Sequence, residues 1–81
     1  MAIESKLRNF ILENYLFTDD QTALDNGDSF LDKGIIDSTG ILELIFFLEE
    51  ELSIKVEDEE MIPGNLDSVN NIVKYVTTKL N

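Results

Sequence analysis

Apolar residues recur every three to four positions in three separate stretches of this chain, and nowhere do they alternate convincingly as a half-buried strand would. This period commits the chain to helices packed on helices. The first stretch runs from about Ala2 to Leu16, where Ile3, Leu7, Phe10 and Ile11 make one stripe. Leu12 and Leu16 fall off that stripe and are expected to meet the following loop. The second runs from Ser38 to about Leu52, with Ile41, Leu44, Ile45, Leu48 and Leu52 on one face, Leu42 and Phe46 to one side, and Glu43 and Glu50 pointing nearly away. The last begins near Asp67-Ser68, either of which can cap it, and carries Val69, Ile72, Val73, Val76 and Leu80. Lys74 and Lys79 suit its negative C-terminal end. A short helix is expected around Asp58–Ile62, stopped by Pro63-Gly64.

Between the first two stretches lies a connection from about Phe17 to Asp37, rich in turn formers such as Asp19, Asp20, Asp25, Asn26, Gly27 and Asp28. So long a connection is unusual in a compact domain and must be pinned down. Leu24, Phe30, Leu31, Ile35 and Ile36 are the candidates to pin it by burial, with a helical turn near Ser29–Lys33. The expected architecture is all-α. It is a small four-helix bundle, three main helices plus a short third one, with a long loop between helices 1 and 2. With 81 residues, one domain spanning 1–81 is expected.

Composition removes most chemistry. The chain has no cysteine and no histidine. Disulfides, thiol nucleophiles, Ser-His-Asp hydrolysis and metal sites built on cysteine or histidine are therefore excluded, and the protein reads as a non-enzyme. Net charge is −11, with 6 Lys+Arg against 17 Asp+Glu. Such a surface repels nucleic acid and anionic membranes and attracts partners with Lys and Arg patches. No apolar run is long enough to span a bilayer, and the first residues do not read as a signal peptide. A cytoplasmic monomer is expected. Asp25-Asn26-Gly27-Asp28-Ser29 suggests a calcium loop. With Gly27 in the sixth position, however, the ligand positions become Thr22, Leu24 and Lys33, so an EF-hand fails and no metal site is expected. Crowded carboxylates near Glu49–Glu51 and Glu57–Glu60 repel one another, so magnesium or calcium is expected to raise the melting temperature.

What remains is Ser38, in Gly34-Ile35-Ile36-Asp37-Ser38-Thr39-Gly40. Asp-Ser at a helix start is most simply a cap. Yet the approach to it is apolar and tight, a helix N-terminus tolerates a phosphate, and Leu42 and Phe46 rimmed by Glu43, Glu49 and Glu50 look like a docking surface for a basic partner. Gly-Ile-Ile-Asp-Ser, the Leu- and Glu-rich run from Leu42 to Glu51, Val56-Glu57-Asp58-Glu59 and Asn65-Leu66-Asp67-Ser68-Val69 together resemble the acyl carrier protein and aminoacyl (peptidyl) carrier family. The likeness is strongest from Phe30 to Val76. It implies a four-helix bundle whose Ser38 receives 4′-phosphopantetheine from coenzyme A. By the same resemblance, Asp37 contacts the phosphopantetheinyl transferase or its metal-bound coenzyme A. Thr39, Leu42, Glu43, Phe46, Glu49 and Glu50 meet partner enzymes, namely a loading ligase and a downstream transferase or synthase with basic docking patches. Where the family usually has Leu after the serine, this chain has Thr39 and then Gly40. Gly40 costs about 1 kcal/mol relative to alanine within a helix and is expected to leave space beside the arm or a looser helix start. The departure implies a specialised pathway rather than housekeeping fatty acid synthesis, including a dedicated amino-acid carrier of the peptidyl or D-alanyl type. A different class, an acidic helical adaptor without a prosthetic group, needs the same helix but not Ser38.

Overall fold

Helix α1 (Ala2–Ile11) continues as a π turn over Leu12–Leu16, α2 spans Ser38–Leu52, α3 is a single turn at Pro63–Leu66, and α4 spans Val69–Leu80. Short 3-10 turns sit at Gln21–Ala23 and Asp58–Glu60. The computed structural model describes residues 2–80, and no strand occurs among them. The expected all-α bundle with its long first loop is what forms.

Helices α1 and α2 run antiparallel. Lys6 reaches Glu51 at one end, the Phe10 and Phe47 rings stack 4.2 Å apart in the middle, and Tyr15 meets Gly40 and Glu43 at the other. The core joins Leu7, Ile11 and Leu12 of the first helix to Leu44, Ile45 and Leu48 of α2 and Val69, Ile72 and Val76 of α4. Leu12 belongs to this core and also meets the following loop as expected, its carbonyl accepting from Thr18 N–H at 3.0 Å. On α4, Leu80 is half exposed and Tyr75 is buried in its stead. The Tyr75 ring can be buried because its hydroxyl donates to Glu60 Oε1 at 3.2 Å.

The long loop is pinned by Leu24, Phe30 and Ile36, all fully buried. Leu31, expected to join them, is exposed. The reason is the helical turn that forms at Ser29–Lys33, where Lys33 N–H donates to Ser29 O at 3.0 Å. That turn drives Phe30 inward and its neighbour Leu31 outward. Asp67, a candidate cap for α4, is spent on this loop. It accepts from Ser29 Oγ and from the Leu31 N–H, and its backbone carbonyl takes the Phe30 N–H. Ser68 caps α4 instead, its Oγ accepting from Asn71 N–H at 3.1 Å.

Pro63-Gly64 does not end a helix as expected. The preceding turn stops at Glu60, and Pro63 opens α3. Proline lacks only an N–H that the first turn leaves unpaired in any case, so it starts a helix as readily as it stops one.

Candidate functional site

The backbone ahead of Ser38 is set by Gly34. Gly34 N–H donates to Leu31 O and Ile35 N–H to Phe30 O, which is a Schellman closure of the Ser29–Lys33 turn. The closing residue must adopt a left-handed conformation, and Gly34 has φ +69°. The chain then buries Ile36 and turns into α2. Asp37 is the N-cap, with Oδ1 accepting from Gly40 N–H at 2.8 Å. Ser38 is therefore not the cap. It is the first helical residue, exposed, and its hydroxyl is not committed to holding the helix. The N–H groups of Ser38 and Thr39 face the open end of α2, where the helix carries partial positive charge.

Ser38 stands on the rim of an apolar groove lined by Leu31, Ile41, Met61, Ile62, Pro63 and Leu66. Leu31 and Ile62, at 46% and 50% exposure, are unusually open for large apolar side chains. The far wall is held from behind. Glu60 accepts from Lys79 Nζ, from the Tyr75 hydroxyl and from Glu57 N–H. Its carboxyl is held below the usual range, first by the Lys79 hydrogen bond, and the Lys79 ammonium is correspondingly raised.

The other sequence candidates fall into three groups. Leu42 and Phe46 follow Ser38 at four-residue steps along one side of α2 and are 53% and 66% exposed. Thr39, Glu43 and Glu50 are exposed beside them. Glu49 is half-buried, and its Oε2 accepts from Val56 N–H at 3.0 Å, closing the turn after α2. Gly40 corrects an expectation: it is buried and faces the bundle, not the space beside Ser38. A β-carbon there would lie 2.6 Å from Ile36 Cγ2 and 3.1 Å from Tyr15 Cε1.

Tyr15 continues the four-residue spacing of Ile3, Leu7 and Ile11, so the sequence marks it as a core residue and not as a site residue. Winding as a π turn closes on the fifth residue, which brings Tyr15 beside Phe10, with the rings edge-on at 5.9 Å. Apolar spacing does not announce that contact. The groove wall at Met61-Ile62 left a fainter signal, an apolar pair stranded between an acidic run and Pro63. Among the described residues, no group of three or more acidic side chains is arranged to hold a metal ion, and no helix is long and apolar enough to cross a membrane.

No protein-family model matches the chain. Individual relatives do. The chain is 31% identical over 74 residues to the probable acyl carrier protein PigG of Serratia sp. (strain ATCC 39006), covering 91% of this chain and 84% of that one. It is 32% identical over 72 residues to an acyl carrier protein of Clostridium perfringens, covering 89% and 90%. It is 36% identical over 76 residues to the D-alanyl carrier protein of Streptococcus uberis, covering 94% and 92%. The fold matches the solution structure of a holo acyl carrier protein from Nitrosomonas europaea with a TM-score of 0.76 at 22% identity, over 96% of this chain and 94% of that one. Four helices in this order, a serine at the open end of the second, and relatives of this similarity along nearly the whole length place the chain in the acyl carrier protein family.

Proposed function

We propose that Ser38 is the attachment point of 4′-phosphopantetheine and that the protein presents a thioester-linked acyl or aminoacyl group to partner enzymes. The observation that carries this is the state of the Ser38 hydroxyl. It is exposed at the first position of α2, while Asp37 does the capping a serine would otherwise do. The residues fit the group. The N–H groups at the start of α2 suit a phosphodiester, and the groove of Leu31, Ile41, Ile62 and Leu66 suits an apolar segment lying beside it. When attached, the arm supplies a terminal thiol that holds cargo as a thioester. The chain's own residues do the rest: Ser38 anchors, Asp37 fixes the helix start, and the stripe of Thr39, Leu42, Glu43, Phe46 and Glu50 docks a partner rimmed with Lys and Arg. Glu49 contributes by fixing the far end of α2.

A relative named a D-alanyl carrier protein favours a dedicated role, with an amino acid as the second cargo class. The partners are a phosphopantetheinyl transferase, a loading ligase and a downstream transferase or synthase. Attachment forms a bond from Ser38 Oγ to the phosphorus of coenzyme A, breaks that phosphorus's bond to the adenosine bisphosphate leaving group, and releases the serine proton. Intact mass after incubation with coenzyme A and a broad-specificity transferase tests this. The parent gains one phosphopantetheinyl group and Ser38→Ala gains none while keeping its fold, since Asp37 still caps α2. A folded parent that gains nothing overturns the reading in favour of an acidic adaptor.

A further inference from the structure

We infer that Tyr15 is a positioning residue for Glu43, holding that carboxylate ready at the docking face for a partner's Lys or Arg. This rests on the carrier reading above. The Tyr15 hydroxyl lies 3.2 Å from Glu43 Oε2 and 3.2 Å from Gly40 O. It has one proton for two acceptors, and the charged one makes the stronger bond. The ring is itself fixed. Its edge meets Phe10, which stacks on Phe47 of α2. Its other side fills the space that Gly40 leaves empty, where a β-carbon would come 3.1 Å from Cε1. The π turn that brings Tyr15 here and the glycine that admits it serve one contact.

The consequence is a pre-formed acceptor. Tyr15, Asp37, Thr39 and Glu43 border a shallow depression separate from the apolar groove. A long exposed glutamate normally samples several rotamers and loses them on docking. Glu43 is tied at one oxygen, so its second oxygen is presented in a restricted position. The Tyr15 hydroxyl is pushed up to about 12, by burial first and by Glu43 next, so it remains a donor throughout the neutral range.

The test is the kinetics of coenzyme A-dependent modification of the apo protein by a phosphopantetheinyl transferase, with the carrier as varied substrate. Y15F is expected to raise KM roughly threefold, the low end of what ordering one rotamer-rich side chain on docking costs, and to leave kcat unchanged. In an E43A background, which removes the acceptor, the same substitution is expected to change nothing, because its only route is through Glu43. An unchanged KM in Y15F, or an effect that persists in E43A, overturns the inference and assigns Tyr15 a structural role only. A parent that is not modified at Ser38 overturns the carrier reading itself, whereas a modified parent with a silent Y15F overturns this step alone. One readout needs no variant: scalar couplings of the Glu43 side chain in the parent should report one dominant rotamer, and averaging there overturns the inference.

Discussion

At Gly40 two effects of opposite sign meet. Replacing a helical glycine with alanine stabilises a helix by about 1 kcal/mol when nothing is in the way. Here the added carbon would sit 2.6 Å from a methyl of Ile36, which is 1% exposed and has nowhere to go. Overpacking of that kind costs about 1–3 kcal/mol, so the clash wins. Gly40→Ala is expected to lower stability by up to about 2 kcal/mol, the overpacking cost less the helix gain, read as a lower urea midpoint at unchanged slope. A higher midpoint would show that Ile36 and its neighbours yield to the added carbon. Gly34 needs glycine for another reason. Nothing lies within 4 Å of its missing side chain, but its φ of +69° strains any other residue. Both glycines stand out in the sequence, and the motif around Ser38 was legible from them. Their reasons were not. Gly34 could be placed before a helix, but Gly40 reads as a loosened helix start until the chain folds and Tyr15, from 25 positions away, occupies its space.

Among the elements, the segment from Glu57 to Leu66 was read least well. Four carboxylates in a row, a Met-Ile pair and Pro-Gly have no amphipathic period, so the sequence supports a short helix near Asp58–Ile62, which forms over Asp58–Glu60, and a proline stop, which does not. The structure uses the proline as a start and hangs the segment on Glu60. By contrast α2 and α4 were legible nearly to the residue, because their cores are stripes and their caps are Asp37 and Ser68. The Glu60 contact predicts a pH dependence. The folded-state pKa of Glu60 is lowered, so its contribution is present above the ordinary glutamate value near ~4.3 and is lost as pH falls through the lowered one. Lys79 is raised, so its contribution is present below about 10.4 and lost as pH rises through the raised value. Between those limits Glu60→Gln should melt below the parent, and the gap should close on acidification. It should also increase amide exchange at Met61 and Ile62, the far wall of the groove beside Ser38. Equal melting curves at neutral pH would show that the wall is held by Asn65 and the buried Leu66 without Glu60.

At the scale of the whole molecule, charge governs both stability and encounter, and it does so with opposite signs. The protein carries −11 within extents of 31 × 25 × 19 Å. At 0.01 M salt the screening length is about 30 Å, so each carboxylate feels nearly every other one. At 0.15 M it is about 8 Å, and only neighbours interact. Several of the few cations are already engaged internally, Lys6 with Glu51, Lys79 with Glu60 and Arg8 with Asn26 and Gln21 on the long loop. The unfolded chain spreads the same charge over a larger volume, so screening favours the folded state. Raising sodium chloride from 0.01 to 0.15 M should therefore raise the melting temperature by several degrees. Magnesium should act mainly through ionic strength, because the described carboxylates form no cation-holding group. A saturable rise at micromolar magnesium would instead reveal a bound ion. The same salt should slow association with a basic partner, since steering decays over the same screening length. A carrier must meet several enzymes in turn and leave each one. An acidic surface that is costly to fold at low salt but speeds every encounter suits that task, and the two salt dependences measured on one sample should run in opposite directions.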